Sequence, residues 1–221
     1  MCEATVSGTP PEIRDRKLRC CIEVRGNPVD HDNFRRVCSC FPTGVTITTL
    51  IGTDGQPHGI TVSSFTSVSL DPPLVLICVD HRSRIIQHLA AGRAYAINVL
   101  SDDQSELSSR FAGHWESRFS GVAWHTGVTG SPLLEGAAAV LECSLYQSIQ
   151  AGDHLIVLGQ VIAGVGTDRL PLLYFRSCYN NPELWRGIAP LDAAGSAAVQ
   201  RQRLWPFEKP ALSGLPKGKE S

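Results

Sequence analysis

The stretch HGITVSSFTSVSLDPPLVLICVD, residues 58–80, begins and ends like a buried β-strand but is rich in hydroxyl groups at its centre. Six of the nine residues from Thr61 to Ser69 are serine or threonine. Side chains alternate between the two faces of a strand, and neither face of this segment is purely apolar. The hydroxyls therefore either bond to their own backbone, as serine and threonine do in turns, or line a polar ligand.

Length and composition favour a single domain of generous size with a tail at each end. The chain has 221 residues, 43% of them hydrophobic, and a formal net charge of −1, so no basic excess attracts nucleic acid or an anionic membrane. No apolar run approaches the roughly 20 residues of a membrane helix, and the N-terminal region lacks the apolar core of a signal peptide. We expect a cytoplasmic protein without nucleic-acid or membrane partners.

Several familiar sites have no signature in the sequence. The eight cysteines include no C-x-x-C pair, so we expect reduced thiols, and the seven histidines show no spacing typical of a metal site. We therefore predict no metal. The glycine-rich fingerprints of dinucleotide and phosphate loops are also missing, so a Rossmann site would not hold a nicotinamide nucleotide here.

The periodicity of the chain divides it into three parts. Residues 1–30 and 187–221 mix charged residues, proline and glycine without a regular pattern, and we predict an N-terminal and a C-terminal tail there, the second with room for a short helix near residues 192–204. Residues 31–186 are predicted to form the domain.

Within the domain, strands follow one another at hairpin spacing. A strand over 45–51 is followed by turn residues at Asp54-Gly55 and then by the hydroxyl-rich segment as its hairpin partner, and two long apolar runs flank Gly152-Asp153. The other predicted elements are helices over 34–41, 83–91 (capped by Ser83) and 101–111 (opened by a Ser101–Gln104 capping box), and strands from 74, over 94–100 and over 171–175.

This order of elements indicates a fold class. Six or seven strands with only two or three helices and no repeating βαβ unit favour a mainly β, antiparallel barrel with helical inserts. A doubly wound sheet is the less favoured alternative.

Five collinear blocks within residues 31–185 together resemble the flavin reductase family. Members of this family are NAD(P)H-dependent enzymes built on the FMN-binding split β-barrel, an antiparallel barrel of Greek-key type, so the resemblance implies that fold and a homodimer. The blocks are GITVSSFTSVSLDPPLVLICVD (59–80), AINVLSDDQSELSSRFA (96–112), SPLLEGAAAVLEC (131–143), AGDHLIVLGQV (151–161) and PLLYFRSCY (171–179).

The resemblance also assigns the hydroxyl-rich segment to a flavin cradle. Small hydroxyl side chains can satisfy the polar edge of an isoalloxazine ring without pushing the ring away. The implied cradle residues are Thr61, Val62, Ser63, Ser64, Ser67 and Ser69.

Two further segments complete the predicted flavin site. Arg82, Ser83 and Arg84 precede a predicted helix, where free N–H groups favour the flavin phosphate; Asp80 beside them must point away or pair with an arginine. Phe111 resembles a residue that borders the flavin pocket in relatives, although its helical spacing equally fits a core position.

The resemblance places His154 of the Gly-Asp-His turn beside the nicotinamide. Hydride transfer from nicotinamide C4 to flavin N5 requires orientation more than an acid or base, so we expect His154 to orient the donor. The activity implied is an NAD(P)H:flavin oxidoreductase that supplies reduced flavin to a separate monooxygenase. Two alternatives remain: a flavin carrier without turnover, or an FMN-dependent reductase of another small acceptor. The sequence leaves open FMN or FAD, and NADH or NADPH.

Overall fold

The computed structural model of the chain describes residues 30–113 and 117–179. The predicted tails, apart from Asp30, and the short helix predicted near residues 192–204 lie outside these ranges. The predicted domain bounds of 31–186 therefore stay a prediction.

The described residues are mainly β with few helices, as predicted, and the strands of each sheet pair antiparallel. The strands form sheets of seven, three and two members, in the orders β3-β2-β6-β9-β10-β5-β4, β1-β11-β12 and β7-β8. The strands are β1 (Thr43–Gly44), β2 (Thr46–Ile51), β3 (Pro57–Val62), β4 (Thr66–Leu70), β5 (Pro73–Asp80), β6 (Tyr95–Val99), β7 (Trp124–Thr126), β8 (Pro132–Leu134), β9 (Ala139–Ala151), β10 (His154–Gly166), β11 (Leu173–Phe175) and β12 (Cys178–Tyr179). The helices are α1 (His31–Cys38), α2 (Ile86–Ala90) and α3 (Ser105–Ala112).

Both predicted hairpin turns are confirmed. The chain reverses between β2 and β3 at Asp54-Gly55, where Gly55 has φ +74°, and between β9 and β10 at Gly152-Asp153, where Gly152 has φ +63°. Glycine adopts these positive φ angles without the steric cost that a Cβ would add.

The hydroxyl-rich segment is not one continuous strand, contrary to our expectation. It divides at Ser63–Phe65 into β3 and β4, which are the first and last strands of the seven-stranded order. In a flat sheet these strands would lie about 29 Å apart, whereas the connection from Val62 to Thr66 reaches about 14 Å at most. The sheet therefore curls until its two edges approach each other.

The apolar side chains fall into two main clusters. The first fills the inside of the curled sheet, where alternate residues of β5 (Val75, Ile77 and Val79) are buried with residues of α2 and β10. The second surrounds Phe111 of α3 and includes Leu172, just before β11. Burial of each such aliphatic or aromatic side chain stabilises the fold by about 1.5–3 kcal/mol.

The helices differ from the prediction mainly at their N-termini. α1 begins after Asp30, whose carboxylate accepts a hydrogen bond from the backbone N–H of Asn33 at 2.7 Å. α3 keeps half of the predicted capping box, because the Gln104 side chain accepts from the Ser101 N–H at 3.1 Å. None of the helices among the described residues is long and apolar enough to cross a membrane.

Candidate functional site

Segments predicted to be functional meet at the C-terminal end of β5. Ser64, in the break between β3 and β4, accepts a hydrogen bond from Cys78 N–H at 2.9 Å and donates to the Cys78 carbonyl at 3.1 Å. Two residues further along β5, Asp80 pairs directly with His154, the first residue of β10. The strand break, the end of β5 and His154 therefore lie side by side.

The hydroxyl groups at the break are partly committed to the protein itself. Thr61 donates its hydroxyl proton to the Ser108 carbonyl at 2.7 Å, and the Ser64 hydroxyl uses its proton and one lone pair on Cys78. Ser63 is exposed, and the backbone amides of 63–65 lie outside both strand ladders. Within residues 30–113 and 117–179, the donors and acceptors left free for a ligand here are therefore the Ser63 side chain, the remaining Ser64 lone pair and the backbone of the break.

Ser67 and Ser69 do not join this group. Ser67 pairs with Val75 and Ser69 with Leu74, so Ser69 lies six residues from Asp80 along β5, a separation of about 20 Å. The predicted cradle residues thus fall into two separate groups. The prediction assumed one continuous strand, whereas the strand is interrupted at 63–65.

Asp80 pairs with an arginine, which is one of the two arrangements we expected. Arg82 donates through Nε and Nη2 to the carboxylate of Asp80, with distances of 2.6–3.1 Å, and the Arg82 N–H donates to Asp80 Oδ1 at 2.8 Å. The hydrogen bonds from Arg82 hold the pKa of the Asp80 carboxyl well below its usual range. Arg82 is therefore occupied by Asp80 and is a weaker candidate for binding an anion than the sequence indicated.

The predicted helix cap at Ser83 is wrong. α2 begins only at Ile86, its N-cap residue Ile85 makes no side-chain capping bond, and the N–H of Ser83 donates to the Asp80 carbonyl at 2.9 Å. α2 is only five residues long, and the residues before it form a turn that is closed by hydrogen bonds to the side chain and carbonyl of Asp80. The N-terminus of α2 therefore offers no anion site.

Arg84 is the stronger candidate for an anion contact. It is exposed, and it forms no ion pair within residues 30–113 and 117–179. Burial, together with the positive charge of nearby Arg84, lowers the pKa of Arg118. The charges of Arg84 and Arg118 together create a positive potential that an anionic group would relieve.

Arg118 itself is built into the fold. Its guanidinium donates to the carbonyls of Gly59 and Gly113, both at 2.6 Å, and its buried Nε has no hydrogen-bond partner among the described residues. The sequence did not identify Arg118, because no periodic or motif signal marks an arginine that reaches back to β3 across 59 residues of chain.

His154 is half-buried at the start of β10. Its Nδ1 lies 2.8 Å from an oxygen of Asp153, and this contact lowers the pKa of the Asp153 carboxyl. The Asp153 carbonyl also accepts a hydrogen bond from the His81 N–H at 3.1 Å, which fixes the Gly-Asp-His turn against the end of β5. The imidazole is thus held from one side, with a carboxylate that orients the ring.

A small cleft adjoins the strand break. Its volume is about 180 Å³, and the hydroxyls of Ser108 and Tyr179 bond to each other in its wall at 3.0 Å. The cleft is lined by Val45, Thr61, Ser63, Ser108, Ala112, Tyr174 and Tyr179. A wider groove of about 790 Å³ runs along α3 to Tyr179, but it contains none of the predicted site residues. Ser108 was not predicted, although its position three residues before Phe111 places both on the inward face of α3.

Two of the residues predicted to bind the flavin, one from the cradle and one from the pocket border, are buried in the core. Phe111 is fully buried and packs edge-to-face on Phe119 with a centroid distance of 5.0 Å, and Val62 is 5% exposed within the cluster inside the sheet. Both side chains belong to the hydrophobic core, so a core position is the interpretation that the burial of Phe111 favours.

Comparison with known proteins identifies the family. The flavin reductase like domain matches residues 38–183. A relative from Rhizobium meliloti (strain 1021) is 43% identical over 167 residues, which are 76% of this chain, and the chain spans only 52% of that relative's length. The reductase subunit of a flavin-dependent monooxygenase from Mycobacterium tuberculosis (strain CDC 1551 / Oshkosh) is 35% identical over 158 residues, 70% of this chain and 84% of its own.

A solved structure agrees with the sequence matches. The NADH:FAD oxidoreductase of Streptomyces globisporus C-1027, in complex with NAD and FAD fragments, superposes with a TM-score of 0.67 at 40% identity, over 76% of this chain and 97% of that one. The likeness therefore extends over sequence and fold together. This chain belongs to the flavin reductase like domain family.

Proposed function

We propose that this protein is an NADH-dependent flavin reductase, which transfers a hydride from nicotinamide C4 to flavin N5. The observation that carries the proposal is the meeting of the break at 63–65, the charged turn after β5 and His154 in a chain of this family. The M. tuberculosis relative, a reductase subunit of a flavin-dependent monooxygenase, supports flavin as the substrate or cofactor. The S. globisporus relative, an NADH:FAD oxidoreductase, supports both flavin and NADH. NADPH remains the alternative donor.

The proposal extends to the fold class of the chain. We interpret the curled seven-stranded sheet as the FMN-binding split barrel of Greek-key type. Its support is the short connection between the two edge strands β3 and β4, and the two hydrogen bonds that fix Ser64 of this connection to Cys78 of β5.

The residues at the break fit the edge of a flavin ring. Exposed Ser63, the second lone pair of Ser64 and the backbone of 63–65, which lies outside both strands, offer donors and acceptors without a bulky side chain. The flavin supplies the atom that accepts the hydride, and the protein supplies position and polarity. In this arrangement the break aligns the ring, and the Thr61 hydroxyl bond to α3 keeps the break in place.

The phosphate end of the flavin would lie at the turn between β5 and α2. Arg84, whose charge adds to that of Arg118, supplies the positive potential, whereas Arg82 neutralises Asp80 and so removes the repulsion that this carboxylate would exert on a phosphate. A flavin mononucleotide or the FMN half of FAD satisfies this arrangement equally.

His154 would orient the nicotinamide over the ring. It pairs with Asp80 across the strands, and Asp153 restrains its imidazole. A side chain fixed in this way can hold the donor in the geometry that hydride transfer requires, without giving or taking a proton itself.

A homodimer would complete the site. Ligand pockets usually enclose about 300–1,000 Å³, and the cleft beside Ser63 offers only about 180 Å³. Large apolar side chains also remain exposed in the single chain, among them Phe34 at 60%, Phe41 at 75% and Ile162 at 54%. A second copy covering such a surface would enlarge the enclosed volume and bury these residues.

A flavin-dependent monooxygenase is the proposed recipient of the reduced flavin, since the M. tuberculosis relative is a reductase subunit of such an enzyme. Colourless protein that oxidises NADH only after flavin is added would support this role. Flavin retained through purification would favour the alternatives, a flavin carrier or a reductase of another small acceptor.

The proposal is tested first by titrating the protein with FMN and with FAD and following flavin fluorescence. Arg84→Ala is expected to weaken binding by about 10- to 100-fold, the loss of one charge-assisted hydrogen bond. Arg169→Ala is the matched control, because Arg169 is exposed and forms its ion pair with Asp103, at 3.3 Å, outside the proposed flavin site. Failure of the folded wild-type protein to bind either flavin would refute the proposal.

A further inference from the structure

A cluster of metal-binding side chains lies outside the proposed flavin site. Asp54 in the β2–β3 turn, His58 of β3 and His88 of α2 each place one donor atom within 4.8 Å of the donors of the other two. No spacing in the sequence indicates this cluster, because His88 is 30 residues from His58 and only the fold brings them together.

Two of the three side chains are already in direct contact. Nε2 of His58 lies 2.9 Å and 3.0 Å from the two carboxylate oxygens of Asp54. The imidazole rings of His58 and His88 stack at an angle of 36° with their centroids 4.3 Å apart. A carboxylate and two imidazoles thus face one another in a single small volume.

The backbone around the cluster is shaped to keep these side chains together. A Cβ at Gly52 would lie 2.5 Å from Oδ1 of Asp54 and 2.6 Å from Cδ2 of His58, so only glycine leaves room for both groups. The N–H of Gln56 donates to Oδ1 of Asp54 at 3.0 Å and orients the carboxylate from behind. Such outer hydrogen bonds are typical of carboxylates that bind metal ions.

His88 is the buried member of the cluster. It is 2% exposed, and the polar atoms nearest to its ring nitrogens lie at long distances, 3.3 Å to the Thr53 N–H, 3.4 Å to the Thr53 hydroxyl and 3.4 Å to the Gln87 amide. A neutral imidazole is the form that binds a metal ion.

We propose that Asp54, His58 and His88 form a binding site for one divalent transition-metal ion of the zinc type. Two nitrogens and one carboxylate oxygen suit Zn²⁺, Co²⁺ or Ni²⁺, whereas Mg²⁺ and Ca²⁺ prefer oxygen ligands throughout. Metal–ligand bonds of about 2.0–2.2 Å require donors roughly 3.3 Å apart, so small rotations of the side chains close the present spacing. Water would occupy the remaining position.

The proposed ion would fasten α2 to the β2–β3 hairpin. Its three ligands come from a turn, a strand and a helix that the Thr53–His88 and His58–His88 contacts already bring together. A metal ion that binds the folded chain and not the unfolded one raises the melting temperature. The site and its test are independent of the proposed reductase activity.

The test uses chelator-treated full-length protein whose cysteines have been alkylated, because thiolates would otherwise compete for the metal. Co²⁺ is added and followed by its visible absorption, and Zn²⁺ by its effect on the melting temperature. We expect one Co²⁺ per chain and a higher melting temperature with Zn²⁺. Asp54→Asn and His58→Gln, both conservative changes at partly exposed residues, should each weaken Co²⁺ binding at least about tenfold.

His125→Gln is the matched control, since His125 is exposed on β7 and belongs to no such cluster among the described residues. It should bind Co²⁺ as the wild type does. Equal Co²⁺ affinity in the wild type, Asp54→Asn and His58→Gln would place the metal elsewhere and overturn the proposal. Absence of stoichiometric Co²⁺ binding to the wild-type protein would overturn it as well.

Discussion

Replacement of Gly159 by alanine tests the packing inside the curled sheet. Gly159 lies on β10 against Tyr95 of β6, which is fully buried and whose hydroxyl has no hydrogen-bond partner among the described residues. A Cβ at position 159 would overlap the Tyr95 hydroxyl and lie 2.9 Å from its Cζ and 3.1 Å from Cβ of Cys143. Overpacking of this kind usually costs about 1–3 kcal/mol, and the buried ring leaves this position near the upper end.

Tyr95→Phe separates the steric effect from the polar one. Removal of a buried hydroxyl without a partner should stabilise the protein by about 1 kcal/mol, since the desolvation penalty of that group disappears. It also removes the atom that Gly159→Ala would strike first. We therefore expect Gly159→Ala to cost about 3 kcal/mol in the wild type and at least about 1 kcal/mol less in Tyr95→Phe, a coupling expected of residues in contact.

The assay is urea unfolding of the four proteins in the cycle, with Gly44→Ala as the control. An added Cβ at Gly44 meets no atom within 4 Å and its φ is not positive, so this change should leave stability within about 1 kcal/mol of the wild type. Equal costs of Gly159→Ala in the two backgrounds, or a cost below about 0.5 kcal/mol, would refute the packing described here.

Two further predictions concern buried polar groups. Thr61→Val should lower the unfolding free energy by about 0.5–1.5 kcal/mol, because the Ser108 carbonyl loses its 2.7 Å hydrogen bond. The control, Thr66→Val, loses only a 3.3 Å contact at an exposed residue and should change the unfolding free energy little. Equal effects of the two changes in urea unfolding would count against the anchoring role of Thr61. Burial tends to raise the pKa of the Glu142 carboxyl, but hydrogen bonds from Thr129 and from the Val128 N–H outweigh it, so the pKa in the folded state is lowered. The stability this adds is present above the unfolded pKa of about 4.3 and is lost as the pH falls through the lower folded value. Wild-type stability should thus fall more steeply on acidification than that of Glu142→Gln, and parallel curves would contradict this.

The local parts of the fold could be predicted from the sequence. The turns at Asp54-Gly55 and Gly152-Asp153 were found because glycine at a positive φ leaves a signal within a few residues. The mainly β class followed from the same spacing of hairpins. The family resemblance rested on five blocks that, taken together, are more specific than any one of them.

The parts that depend on distant contacts could not be predicted. Nothing local in VSSFTS marks a break at 63–65, since the break is set by closure of the sheet and by the bonds of Ser64 to Cys78, 14 residues away. Ser83 has the side chain of a helix cap, but a turn forms there instead, because the Asp80 carboxylate accepts a hydrogen bond from the Arg82 N–H. The cluster of Asp54 with His58 and His88 likewise exists only once α2 packs against the hairpin.

Anaerobic stopped-flow reduction of flavin by NADH tests the central claim most directly, because it observes hydride transfer itself. The wild-type protein should bleach the flavin, and His154→Ala should do so about 10- to 100-fold more slowly with unchanged flavin affinity, as expected for the loss of one orienting contact. Bleaching by His154→Ala at the wild-type rate would contradict the role of His154, and a wild-type protein that bleaches bound flavin with neither NADH nor NADPH would contradict the reductase itself.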